Sequence, residues 1–316
     1  MGKAVCFGIA CLDLLVPGLD PADFSKETIR VGDFSYSTGG DAINEAVTLA
    51  KLGHEPILMS VLADDAMGHV LTDLAEKAGV GMGAVKRSRT HQTAVSIVCV
   101  HPDGERNFIV NDGSDNEIGA DTVDWDAAAK AQVFCVGSAY GAKGLTECLP
   151  EVLKKAKSLG LTTCVDIMIG SEYVGLEREA DPGAFLQYAD YIFPNQSEAR
   201  WMTGESKPDA MVQKLLDMGC SCVVLKDGEN GCVLCRKGPE GLQKIFVPAI
   251  RCDVVDTTGA GDNFLAGFTA GLLEGLDDES CAKLATATAS ASVRYIGAAG
   301  LKNRAEVEEI LHEGLQ

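Results

Sequence analysis

Basic residues are scarce: 27 lysines and arginines face 46 aspartates and glutamates, a formal net charge of −19. A surface of that sign repels nucleic acid and anionic lipid, so no nucleic acid and no membrane is expected as a partner. Any anionic ligand must be held by local devices. Proline numbers only 10 and charged residues reach only 23%. With no internal repeat and no low-complexity tract, collagen-like, linker-like and largely disordered chains are excluded. No uninterrupted apolar run is long enough to cross a bilayer. Met1-Gly2-Lys3-Ala4-Val5 leads directly into a strand-like stretch without a cleavable-signal pattern, so the expected address is cytoplasmic. Histidines number five and none stands in a catalytic set; His54, His91 and His101 are expected at the surface or in packing.

What is present is a globular chain. Its 316 residues, 46% apolar, suffice for one large domain or two of ordinary size. Twelve cysteines are scattered through apolar stretches such as Val133-Phe134-Cys135-Val136, as expected of reduced, buried thiols. Cys220, Cys222, Cys232 and Cys235 come nearest to a metal pattern. They lie on two strand-like stretches around Asp227-Gly228-Glu229-Asn230-Gly231, where alternation puts thiols on different faces, so packing is expected rather than zinc.

Strand-like runs alternate with helical periodicity, above all after residue 130, which is the pattern of a parallel α/β sheet. Strands are expected at Val133–Gly137, Leu161–Asp166, Asp190–Phe193, Cys222–Lys226 and Ile250–Asp256, with helices at Leu145–Leu159 and Asn263–Glu274. Two regions, Asp13–Ser37 and Thr90–Val110, break this rhythm. Ala94-Val95-Ser96-Ile97-Val98 and Asn107-Phe108-Ile109-Val110 read there as antiparallel strands of a small sheet folded out from the body. The division expected is a main domain of residues 1–12, 38–89 and 111–316, with a lid of residues 13–37 and 90–110 inserted into it.

Asp256-Thr257-Thr258-Gly259-Ala260-Gly261-Asp262 lies between an extended stretch and an amphipathic helix. Small residues let successive N–H groups turn toward one point, and the helix dipole adds positive charge there, so the turn can bind an anion. Asp262 stands beside that point, where a carboxylate can take a proton from an acceptor hydroxyl during phosphoryl transfer. An aspartate cap after a glycine turn explains the same spacing equally well. In Thr38-Gly39-Gly40-Asp41-Ala42-Ile43-Asn44 a glycine pair precedes a helix and permits close backbone approach. Asn44 offers a donor and an acceptor to a polyhydroxylated substrate, although an exposed helix asparagine is the plainer reading. Asp13, after the first strand, suits two sugar hydroxyls or a turn cap. Asp41 and Glu45 are expected as solvated charges on the helix face.

Taken together these residues resemble the ribokinase-like, or PfkB, carbohydrate kinases over nearly the whole chain. Gly39-Gly40-Asp41-Ala42-Ile43-Asn44-Glu45-Ala46 with Gly53 is similar to the family's N-terminal signature, and Asp256 to Asp262 to its C-terminal one. The resemblance implies an α/β three-layer α/β/α sandwich with a mostly parallel central sheet and a small β lid. It makes Asp262 the general base, Gly259, Ala260 and Gly261 the backbone anion hole, and Asp13, Gly39, Gly40 and Asn44 the sugar contacts. Asn195-Gln196-Ser197-Glu198 resembles an Asn-x-x-Glu element that organises magnesium and phosphates through water. Lys226, Gly228 and Gly231 resemble the border of the ATP site. Asp256 and Thr258, with carbonyls near Val293 and Gly297, are implied to hold a monovalent cation such as potassium. Arg106 and Asn107 are candidate substrate contacts, and pairing of lids into a homodimer is implied.

Many sugar-kinase relatives carry an Asn two residues after the aspartate of the Cys164-Val165-Asp166 strand, where this chain has Met168; a polar contact is lost there. The reading that results is an ATP- and magnesium-dependent kinase of a small sugar hydroxyl. A nucleoside kinase and a catalytically idle sugar or nucleotide sensor on the same fold are the alternatives. A nicotinamide oxidoreductase is disfavoured because the first strand ends Gly8-Ile9-Ala10-Cys11-Leu12-Asp13, without Gly-x-Gly-x-x-Gly. Ribose, fructose, a ketodeoxy sugar acid, a sugar phosphate and a nucleoside stay open as substrates, the acidic balance disfavouring the phosphate.

Overall fold

The computed structural model describes residues 1–19, 21–101, 106–169, 183–239, 241–298 and 300–314. In chain order the strands are β1 (Lys3–Phe7), β2 (Cys11–Pro17), β3 (Ser35–Gly39), β4 (Glu55–Met59), β5 (Val61–Ala63), β6 (Lys86–Ser88), β7 (Val95–Val100), β8 (Arg106–Asn111), β9 (Val133–Val136), β10 (Thr162–Asp166), β11 (Tyr191–Phe193), β12 (Cys222–Lys226), β13 (Cys232–Gly238) and β14 (Gly241–Val247). The helices are α1 (Asp41–Lys51), α2 (Ala66–Lys77), α3 (Trp125–Ala128), α4 (Lys143–Ser158), α5 (Gln196–Thr203), α6 (Pro208–Asp217), α7 (Ala260–Leu273), α8 (Asp278–Ser292) and α9 (Arg304–Gly314).

Eight strands form one sheet in the order β14-β13-β12-β11-β10-β9-β1-β4. From β12 to β4 neighbours are parallel, and β13 and β14 add an antiparallel edge. Parallel strands are covered on both faces, so they read as apolar runs without alternation; Ala4–Phe7 and Val133–Val136 are wholly buried. One face packs Cys6, Cys135 and Cys164 against α1, α7 and α8 through Ile43, Phe268 and Leu284. The other packs Val5, Phe134 and Val165 against α4 and α6 through Leu149 and Leu215. Each such fully buried side chain contributes about 1.5–3 kcal/mol, and the helix, sheet and helix layers follow. Cys222 and Cys232 join the first face and Cys220 and Cys235 the second; alternation along β13 separates Cys232 from Cys235, while Cys220 precedes β12 and reaches the second face from the turn before it.

A separate four-stranded sheet has the order β3-β2-β7-β8. Its outer pairs are antiparallel, but the central pair β2 and β7 is parallel, because both strands run outward from the body on separate excursions. Ile250–Asp256 forms no strand, contrary to the sequence pattern. The chain there leaves the sheet, exposing Val254 and Val255, and the amides of Val255 and Asp256 donate instead to the Val293 carbonyl. Strand order reverses between β1 and β9, and open α/β sheets hold ligands at the carboxyl ends beside such a reversal. Gly8, Gly137, Asp166, Asn195 and Lys226 all lie at or just beyond those ends. Among the described residues no helix is long and apolar enough to cross a membrane.

Candidate active site

Asp262 stands in the first turn of α7, which Gly259 opens with a φ of 70°. A Cβ at Gly259 would lie 2.2 Å from the Ala298 carbonyl oxygen, so both the backbone angle and the space demand glycine. Asn263 pins this turn. Its Nδ2 donates to the carbonyls of Gly259 (2.6 Å) and Ala298 (2.5 Å), and its Oδ1 accepts from Thr48 of α1 at 2.7 Å. Ala260, Gly261 and Asp262 thus face a cavity from the positive end of a 14-residue helix. Of the amides in this turn, that of Ala260 also closes onto the Thr257 carbonyl at 3.2 Å.

A chain of side chains orients the carboxylate. Asn44 Nδ2 donates to Asp262 Oδ2 at 2.8 Å, and Thr38 Oγ1 donates to Asn44 Oδ1 at 3.1 Å. Asn44 is therefore not the exposed asparagine its plainer reading suggests; it is 3% exposed. Burial and the negative charge of Asp41 push the Asp262 carboxyl well above the usual aspartate range, while the Asn44 N–H and Lys226 pull the other way. Asp13 on β2 is pushed up to about 6, chiefly by burial. It fills the space Gly39 leaves, since a Cβ there would lie 2.1 Å from Asp13 Oδ1. Gly40 caps the start of α1.

The cavity, about 1030 Å³, is lined on its other side by Asp166, Asn195, Glu198, Lys226, Gly228 and Gly231. Lys226 Nζ reaches Asp166 Oδ1 at 2.7 Å and lies 3.2 Å from where a Cβ on Gly261 would be. Burial works against the Lys226 charge, but Asp166 and Glu198 outweigh it and its pKa is raised. Burial pushes Glu198 up to about 7, with Lys226 opposing. Asn195 and Glu198 also cap α5 reciprocally, at 2.6 and 2.9 Å, so this element has a structural task as well. Asp13, Gly39, Gly40 and Asn44 do not line the cavity. Asp262 joins the two sides, facing the cavity and bonding Asn44.

The expectation of solvated charges at Asp41 and Glu45 fails. Ala42 to Leu49 of α1 are all buried between the sheet and α7. Asp41 lines the cavity, accepts from Ser138 Oγ and is pushed up to about 6 by burial. Glu45 is fully buried and neither of its oxygens has a partner among the described residues. His54 packs against Glu274, and His91 binds Glu117. Asp166, Thr48 and Asn263 are site residues that sequence reasoning overlooked. A polar Asn263 ahead of the apolar Phe264-Leu265-Ala266 was the available signal for the last.

Asp256, Thr258, Val293 and Gly297 do converge. Asp256 Oδ1 accepts from the Thr258 amide at 2.7 Å and Oδ2 from the Gly297 amide at 3.0 Å, while Val293 O accepts from Val255 and Asp256 at 2.7 and 3.1 Å. Arg106 of β8 enters the same place, its guanidinium donating to Asp256 Oδ1 and Thr258 Oγ1. Residues 1–304 match the pfkB family of carbohydrate kinases. The chain belongs to that family. Its members transfer a phosphoryl group to an alcohol acceptor, and this kinase shares their ribokinase-like fold. It is 28% identical to fructokinase-2 of Oryza sativa subsp. japonica over 267 residues, 83% of this chain and 77% of that one. The structure of Arabidopsis thaliana ribokinase with ribose and ATP matches at a TM-score of 0.82 and 26% identity, covering 98% of each chain. An E. coli protein of the ribokinase II type, solved with ATP and Mg²⁺, matches in fold at a TM-score of 0.86 and 19% identity, over 99% of this chain and all of that one (100%).

Proposed function

We propose that this kinase moves the terminal phosphoryl group of ATP to a hydroxyl of a small, uncharged sugar or sugar-like substrate, with Asp262 as general base. The observation that carries this is the chain Thr38, Asn44 and Asp262, which holds one carboxylate at the cavity wall in the N-terminal turn of α7, with Lys226 beside the neighbouring Gly261. The base needs an acceptor proton within reach and a proton affinity above that of an ordinary aspartate, and burial with Asp41 raises it in that direction. The amides of Gly259 to Gly261 then face the charge that accumulates on the transferred group, and Lys226 stands beside them. Glu198 and Asn195, hard oxygen donors on the cavity wall, suit magnesium held through water. Bound with the phosphates, magnesium would neutralise charge on their oxygens.

The acceptor lies on the far side of Asp262, against Asp13, Gly39, Gly40 and Asn44. Asp13, Asp41 and the buried Asp115, which accepts from the Ala10 amide at 3.4 Å, crowd that side with carboxyls. A sugar acid or phosphate brings one more negative charge to them, so a neutral polyol is favoured. The lid, residues 13–37 and 90–110, covers this side and excludes water. Of the second segment, residues 102–105 lie outside the described residues. Tyr36, Phe108 and Val110 expose apolar surface on the lid's outer strands, which supports pairing of two lids in a homodimer; sedimentation showing monomers at every concentration would remove that part.

The decisive experiment replaces the base. Asp262→Asn is expected to lose about 10²–10⁴-fold in kcat while calorimetry still detects nucleotide and sugar. Near-parental turnover of that variant, measured as ADP release across neutral sugars, sugar acids and nucleosides, refutes the assignment.

A further inference from the structure

We propose that the Arg106 guanidinium stands where a monovalent cation would sit, so that this kinase turns over without potassium and seating of the small sheet sets the turn that opens α7. Four of the oxygens such a site would offer already accept N–H groups. Asp256 Oδ1 receives the Thr258 amide and Arg106, Asp256 Oδ2 receives the Gly297 amide, and Val293 O receives two amides. The Thr258 hydroxyl receives Arg106 as well. A potassium ion needs several oxygens turned toward it, and here N–H groups face them instead.

Charge is replaced along with geometry. Arginine is permanently cationic and its planar fork can bond two oxygens at once, so it neutralises Asp256 without drawing an ion from solvent. The pair is sheltered, with side-chain exposure of 19% for Arg106 and 8% for Asp256, and is little weakened by salt.

The contact crosses from one unit to another. Arg106 begins β8, at the edge of the small sheet, and Asp256 and Thr258 lead into Gly259, whose backbone Asn263 pins. Arg106 is thus a positioning residue: it touches no reacting atom, but it ties the sheet over the acceptor side to the turn that faces the phosphates. Moving that turn by about an ångström costs on the order of a hundredfold in rate.

The test measures kcat with choline, sodium or potassium as sole monovalent cation for the parent, Arg106→Gln and Arg106→Lys. In parallel, thermal unfolding of the ligand-free proteins is followed in the same salts at constant ionic strength. The rate arm rests on the kinase reading; the unfolding arm does not, so failure of one can be told from failure of the other. The parent is expected to vary less than about twofold between salts, and Arg106→Gln to lose about tenfold or more in choline. Potassium or free guanidinium should restore part of that loss, and potassium alone should raise the variant's unfolding midpoint. Arg106→Lys should keep most of the rate. Potassium activation of the parent overturns the proposal, as does parental kcat for Arg106→Gln in choline. Should Arg106→Gln not fold, the parent's response to potassium in both arms decides.

Discussion

At the scale of single residues, an ordinary aspartate is a weak base at neutral pH, and the site corrects this by placing Asp262 out of water and beside Asp41. A neighbouring negative charge disfavours ionisation, so removing it must lower the pKa of the group that remains. Asp41→Asn is therefore expected to move the acidic limb of the kcat/KM profile toward lower pH, with Asp262 deprotonated over a wider range. Because the carboxyls of Asp41 and Glu198 titrate in the same cluster, the limb belongs to the group as a whole, and its direction of movement is the readout. A limb that stays fixed or climbs would mean that another group controls the acidic side.

At the scale of elements, the turn from Asp256 to Asp262 holds its shape through contacts from outside itself, and the Asn263 side chain ties its Gly259 carbonyl to Ala298 and to Thr48 of α1. Asn263→Ala leaves two buried carbonyls and the Thr48 hydroxyl without that partner, a loss of about 2–4 kcal/mol in urea unfolding. Turnover should fall by about a hundredfold even where the protein is folded, because the turn is free to shift. A variant with parental kcat would show that the glycines alone define the turn. The two glycine signatures were legible in the sequence because backbone approach and left-handed φ leave a residue-type imprint. So were the central strands, since burial on both faces produces unbroken apolar runs. Asn263, Arg106 and Asp166 were not assigned their places, because their partners lie far along the chain: Arg106 meets Asp256 at a separation of 150 residues. Glu45 was misplaced for a related reason. Charge usually marks a solvated helix face, but α7 covers α1 on the side the sheet leaves open. Ile250–Asp256 misled in the opposite direction: Val254 and Val255 lie exposed, Val254 on the rim of the cavity, rather than in the sheet.

At the scale of the whole molecule, the acidic groups divide into two sets with opposite consequences for stability. Hydrogen bonds from Ser88, Thr90 and His91 hold Glu117 down to about 2, and the amides of Gly297 and Thr258 with Arg106 hold Asp256 low against its burial. Such groups stabilise the fold above the unfolded carboxyl range and lose that contribution only as pH falls below it. In the other set, burial pushes Asp13 and Asp41 up to about 6 and Glu198 up to about 7, and lifts Glu45, Asp115 and Asp262 well above the ordinary range. Unfolded carboxyls release their protons near pH 4. From about there to neutrality the folded chain holds more protons than the unfolded one, and its stability must fall as pH rises. His54, lowered by burial, opposes this, but it is one group against six. The ligand-free enzyme should accordingly unfold at a lower temperature at pH 8 than at pH 5. General repulsion among the excess of 19 negative charges has the same sign, yet salt screens surface charge far more than buried charge, so the difference should persist in about 0.5 M salt. Glu45 offers the sharpest check, since its two oxygens are buried without a partner. Glu45→Met should raise stability by about 1–3 kcal/mol at pH 8, gain less at pH 5, and flatten the pH dependence. An unfolding midpoint that climbs from pH 5 to pH 8, or a Glu45→Met variant less stable than its parent at pH 8, would mean that the acid cluster is paid for by contacts other than those seen around it.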